Sequence, residues 1–132
     1  LVEKRQEPAI RKILEAPHTH PADDLAKAGD KAGKIETFEN SREIKEGNQT
    51  LVLHAWVSPH VDPMVMAYVP SARALFQSDI WFPGLGIPGS PDAANLLEEI
   101  QRAKFNVSTM VGGHGLVGPY AELTKAVAAM KK

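Results

Sequence analysis

Two strand-like runs, Ala72 to Phe76 and Asn106 to Val111, are separated by a helical pattern, Pro91 to Phe105. That pattern is long enough to carry the chain back across a sheet. Parallel neighbours need such a crossover, whereas antiparallel neighbours need only a turn. The spacing therefore predicts that the two strands run parallel, and no other feature of the chain narrows its fold so far. Ser90 suits the helix N-cap and Pro91 its first turn. Leu96, Leu97 and Ile100 give the helix an apolar stripe.

Upstream, Thr50 to Val57 alternates, with Leu51, Leu53 and Ala55 on one face and Val52, His54 and Trp56 on the other. Met64 to Val69 is a further strand, joined to Ala72–Phe76 through a tight turn at Pro70-Ser71. Shorter strands are expected over Lys34 to Phe38 and Arg42 to Lys45, with a turn at Glu46-Gly47-Asn48. Glu3 to Glu15 has helical spacing in Ala9, Ile10, Ile13 and Leu14, and a short helix is expected over Ala22 to Ala28. Trp81 to Gly89, rich in Gly and Pro, reads as a loop. A last helix begins at about Pro119, with Leu123, Val127 and Met130 on one face. The sum is one α/β domain with a mixed sheet and helices packed on one face.

Charge and composition restrict what such a domain does. Fifteen Lys and Arg against sixteen Asp and Glu leave a net charge of −1, without the broad basic footprint of a nucleic-acid or anionic-membrane binder. No apolar run approaches the roughly 20 residues that span a bilayer. The chain has no Cys, which removes disulfides and thiolate metal sites and leaves the compartment open between cytoplasm and periplasm. It starts with Leu1 rather than Met, so a processed chain or a piece of a longer protein is expected.

Three residues stand just outside predicted strands. His60 precedes Met64–Val69, Asp79 follows Ala72–Phe76, and His114 follows Asn106–Val111. With the hairpin antiparallel and the crossover pair parallel, all three are expected at one rim of the sheet. Imidazole and carboxylate together suit zinc, iron or manganese; a surface His pair with a capping Asp is the plainer alternative. Gly112, Gly113 and Gly115 around His114 allow a close backbone approach. Asp62 could orient His60 or serve as a turn residue. Trp81 and Phe82 could line a pocket or plug the sheet edge. His54, inside a strand, is expected to be a hydrogen-bonded sheet histidine. Gly84 to Gly89 matches G-x-G-x-x-G, but Pro83 and Pro88 interrupt the turn, so it is not read as a dinucleotide site.

The ordered segments His60-Val61-Asp62, Met64 to Pro70, Leu75-Phe76-Gln77-Ser78-Asp79 and Gly113-His114-Gly115 resemble the C-terminal half of the metallo-β-lactamase fold. A stretch like Asp24-Leu25-Ala26-Lys27 upstream points to its metallo-hydrolases. The resemblance runs from about Pro17 to Val127 and implies half of an αββα sandwich. It further implies that His60 binds a first metal, Asp79 bridges two, and His114 binds the second. The implied activity is metal-dependent hydrolysis of an ester, lactone, thioester or lactam.

That family also carries His-x-His-x-Asp-His in its first half. Here only His18-Thr19-His20-Pro21-Ala22-Asp23-Asp24 is similar. Its acid falls one position late, so it reads as a polar loop with Asp23 capping a helix. The expected metal site is thus partial, with zinc, or iron or manganese, weakly held or missing, and the chain alone is expected to be inactive. The expected partner is either the missing N-terminal half or a second copy. In the second case the chain is a non-catalytic assembly module that self-associates through the sheet face left uncovered.

Overall fold

The structure is a computed structural model that describes residues 1–16, 24, 27 and 34–130. Where the sequence reads as a single domain, the chain divides into two compact units, Leu1–Glu39 and Asn40–Lys132.

In the first unit, β1 (Val2–Glu3) pairs in parallel with β2 (Thr37–Phe38). The buried Glu3 accepts from the Arg5 backbone N–H at 2.8 Å and so caps a 3-10 turn over Lys4–Gln6. Helix α1 (Glu7–Leu14) follows, with Pro8 in its first turn and a Glu7–Arg11 pair one turn apart. It starts four residues later than the apolar spacing suggests, because Val2 and Glu3 pair with a distant strand instead. The helix expected over 22–28 falls mostly outside the described residues; Asp24 and Lys27 are helical and their side chains pair at 3.1 Å.

The second unit is built on one six-stranded sheet in the order β3-β4-β5-β6-β7-β8. The strands are β3 (Ser41–Glu46), β4 (Gln49–Trp56), β5 (Met64–Val69), β6 (Ala74–Gln77), β7 (Thr109–Gly112) and β8 (Val117–Pro119). All neighbours are antiparallel except β6 and β7, which run parallel as the crossover requires. Helix α2 (Pro91–Arg102) makes that crossover, and α3 (Tyr120–Ala129) closes the unit. The Ser90 hydroxyl accepts from the Ala93 N–H at 3.1 Å, as its N-cap position predicts.

Alternation decides which face is buried. Val52, Tyr68, Leu75, Met110 and Gly118 lie in register across five strands. With Trp56, Met64 and Met66, the first four of these meet Ala93, Leu96 and Ile100 of α2 and Leu123 and Val127 of α3 in one core. Both helices therefore cover the same face. On the opposite face, Leu53, Ala67, Phe76, Val111 and Val117 lie in register, with Ile44 beside Leu51. Ile44, Phe76 and Val117 are exposed there.

Several boundaries differ from the sequence expectation. Helix α2 stops at Arg102 rather than Phe105, because Lys104 turns to φ +56° and frees Phe105 to stack on Tyr68 at 4.5 Å between ring centroids. Strand β7 starts at Thr109 rather than Asn106, since the Asn106 carbonyl accepts from the Tyr68 hydroxyl and from Arg73. Strand β6 begins at Ala74, after a 3-10 turn over Pro70–Ala72 and a left-handed Arg73. Met130 is exposed rather than part of the α3 stripe. Strand β8 is unanticipated: Gly118 and Pro119 argue against a strand, yet a sheet edge tolerates Pro.

Leu75→Ala, at a fully buried position, is expected to lower stability by about 2–5 kcal/mol, read as a lower urea midpoint at unchanged slope. Ile44→Thr, at an exposed position, is expected to change it by no more than about 0.5 kcal/mol.

Candidate functional site

Parallel pairing converts equal sequence offsets into spatial neighbours. Gln77 is in register with Gly112 at the ends of β6 and β7. One residue further, Ser78 meets Gly113, where an added Cβ would stand 2.4 Å from the serine Oγ and 2.8 Å from its Cβ. Two residues further, Asp79 meets His114: its Oδ1 lies 3.0 Å from the imidazole Nε2. The side chains are 46% and 67% exposed respectively, so the pair faces solvent at the rim. The Ile80 N–H donates back to the Ser78 carbonyl at 2.9 Å and closes a three-residue turn around Asp79, whose φ is +68°. That conformation is uncommon for a residue with a side chain, although Asp, Asn and His take it more often than most.

Two of the three expected site residues are therefore together. His60 lies exposed in the segment before β5, with its backbone N–H donating to the buried Ser58 hydroxyl at 3.2 Å. Among the described residues no group of three or more His, Asp or Glu side chains could hold a metal ion, which leaves His60 outside the pair. Strand register sets where a loop begins, but not where a side chain inside it points. Asp62 is exposed and precedes Pro63 across a cis peptide bond. Phe82 sits beside His114, with ring centroids 6.2 Å apart. Trp81 is 2% exposed and part of the core. His18, His20 and Asp23 lie outside the described residues.

The pair can be tested as metal ligands from its separation. Two ligands held about 2.0–2.2 Å from one ion stand about 3–3.5 Å apart in tetrahedral or octahedral geometry. The observed 3.0 Å fits that, and neutral imidazole with carboxylate suits zinc, iron or manganese. Zinc sites take three or four protein ligands, so the described residues fit part of a coordination shell and not a whole one.

A second polar cluster holds α2 to the sheet. Glu99 is buried; it accepts two bonds from Arg102, at 2.6 and 2.8 Å, and stands 2.5 Å from His54 Nε2. Trp56 Nε1 donates to Asn95 at 3.0 Å beside it. The expectation of a hydrogen-bonded sheet histidine at position 54 is met. Burial pushes the Glu99 carboxyl up, but Arg102 and His54 outweigh burial and hold it below its usual value. Gln77, whose amide organises the turn after β6, has no signal in the sequence; a Gln closing a strand reads as ordinary edge polarity.

No protein-family model and no curated protein matches this sequence. Solved structures do match. A metallo-β-lactamase from Pontibacter korlensis aligns with a TM-score of 0.51 at 21% identity, over 82% of this chain and 54% of that one. A metallo-β-lactamase superfamily protein from Sulfolobus tokodaii gives 0.54 at 16% identity, over 96% and 53%. The flavodiiron protein from Giardia intestinalis gives 0.56 at 14% identity, over 82% and 33%. The chain spans about half of the first two structures and a third of the last. Its six-stranded mixed sheet and helices have the metallo-β-lactamase fold, and the coverage fits half of that domain.

Two outcomes are expected. Gly113→Ala is expected to cost about 1–3 kcal/mol through its clash with Ser78, and Ser78→Gly in that background is expected to restore most of it, as thermal melts would show. For Glu99, a carboxyl pKa lowered by folding stabilises fully above its unfolded value of about 4.3 and stops doing so as pH falls through the folded value. Urea titrations between about pH 5 and pH 3 are therefore expected to show the wild type losing stability faster than Glu99→Gln.

Proposed function

We propose that this chain, which carries part of a metallo-β-lactamase fold, supplies half of the metal centre of a metal-dependent hydrolase. In this reading Asp79 and His114 share one metal, His60 contributes to a second, and the remaining ligands come from outside the described residues. Zinc suits the donor set best, with iron and manganese as further candidates. A metal held there would lower the pKa of water toward neutrality. This chain's own part is to hold a carboxylate and an imidazole together at an open rim, with Phe82 beside the imidazole. The observation that carries the reading is the 3.0 Å approach of Asp79 to His114 from the ends of two parallel strands. A shared fold does not select the reaction, so hydrolysis rests on the resemblance of the motifs. Isothermal titration with zinc is expected to show weak uptake that falls at least about tenfold in Asp79→Ala and His114→Ala, and less in His60→Ala. Equal uptake by wild type and all three variants would remove the reading.

The apolar face opposite the helices favours a second reading, a non-catalytic module that pairs with another copy of itself. Phe76 and Val117 are exposed there, and Leu53 and Val111 are only half-buried. A net charge of −1 opposes self-association little. Sedimentation is then expected to show a dimer that Phe76→Glu dissociates; a compact monomer at high concentration would contradict it.

A further inference from the structure

Gln77 ends β6 with its side chain fully buried. Every hydrogen bond of its amide goes to the backbone of the turn that follows. Oε1 accepts from the N–H of Ile80 at 3.3 Å and of Trp81 at 3.1 Å, and Nε2 donates to the Trp81 carbonyl at 2.5 Å. The main-chain carbonyl of Gln77 in turn accepts from the Gly113 N–H at 2.9 Å. One residue thus grips the loop after β6 through its side chain and the loop after β7 through its backbone. Asp79 lies in the first loop, and His114 follows Gly113 in the second.

We infer that Gln77 is a positioning residue for the Asp79–His114 pair. The turn around Asp79 has a φ of +68°, an uncommon conformation for a residue with a side chain, and the hydrogen bonds on either side of it hold it there. Its closing bond, from Ile80 N–H to Ser78 O, is shared with Gln77 Oε1. The next N–H and the next carbonyl, both of Trp81, are also bound to Gln77, and the Trp81 ring is anchored in the core. Residue 79 is therefore clamped from its C-terminal side, and its carboxylate is held toward the imidazole before any ligand arrives. An apolar side chain at position 77 would fill the space and leave the turn free to relax. The inference deepens the metal-ligand reading and rests on it for its consequence; the clamp itself needs no metal.

The test uses the whole chain, isotope-labelled and free of metal. In Gln77→Met, the Ile80 and Trp81 amides are expected to exchange at least about tenfold faster, while amides of β5 and β7 keep their rates. The proton–proton contact between the Asp79 methylene and the His114 ring is expected to disappear from nuclear Overhauser spectra. Gln77→Glu, which keeps the acceptor for Ile80 and Trp81, is expected to recover part of both signals. Survival of the Asp79–His114 contact in Gln77→Met would overturn the inference, as would equal acceleration of all amides or unfolding of both variants. Unprotected Ile80 and Trp81 amides in the wild type would do so as well. Zinc plays no part in these signals, so failure of the zinc titration would remove the metal reading and leave the clamp standing.

Discussion

The parallel register of β6 and β7 is the constraint on which the rest depends. Once Gln77 faces Gly112, the chain has no freedom in what comes next to what. Ser78 must pass Gly113, and Asp79 must arrive beside His114. A slip of one residue would set Asp79 against Gly113 or Gly115, and would also turn either Leu75 or Met110 out of the core. Burial of those two side chains thus enforces the same register that assembles the polar pair at the rim. Core and site are two consequences of one pairing.

The sheet has two unlike apolar faces. One is closed by α2 and α3 and stitched to α2 by polar contacts, His54 to Glu99 and Trp56 to Asn95. Buried charge is costly unless it is paired, and Glu99 meets that condition with two bonds from Arg102 and a close imidazole. The other face carries Leu53, Ala67, Phe76, Val111 and Val117 in register and no helix of this unit. Two solved structures of this fold that the chain matches are each about twice the length that it spans.

Much of this was legible before any coordinates. Met64–Val69 has the bounds expected of that strand, and Ser90-Pro91 starts α2 where capping chemistry places it. The length of Pro91–Phe105 points to the crossover and with it to Asp79 and His114 at one rim of the sheet. Local chemistry was less legible where a distant partner overrides it. Glu3, expected at the start of a helix, joins a strand with Val2, and Gly118-Pro119 completes an edge strand against its propensity. Trp81, adjacent to the site in sequence, belongs to the core.

What the amino-acid order determined by itself is the central strands, the alternation along Thr50–Val57 and the length of the crossover helix, because these depend on periodicity and chain length. Which side chains then face each other was decided only by the tertiary structure. Asp79 reaches His114 because both leave strands at the same offset from a register pair, whereas His60 sits within a loop whose course register does not control. The clamp at Gln77 is likewise a tertiary fact, since a buried amide acquires its partners only when the turn after β6 has folded over it.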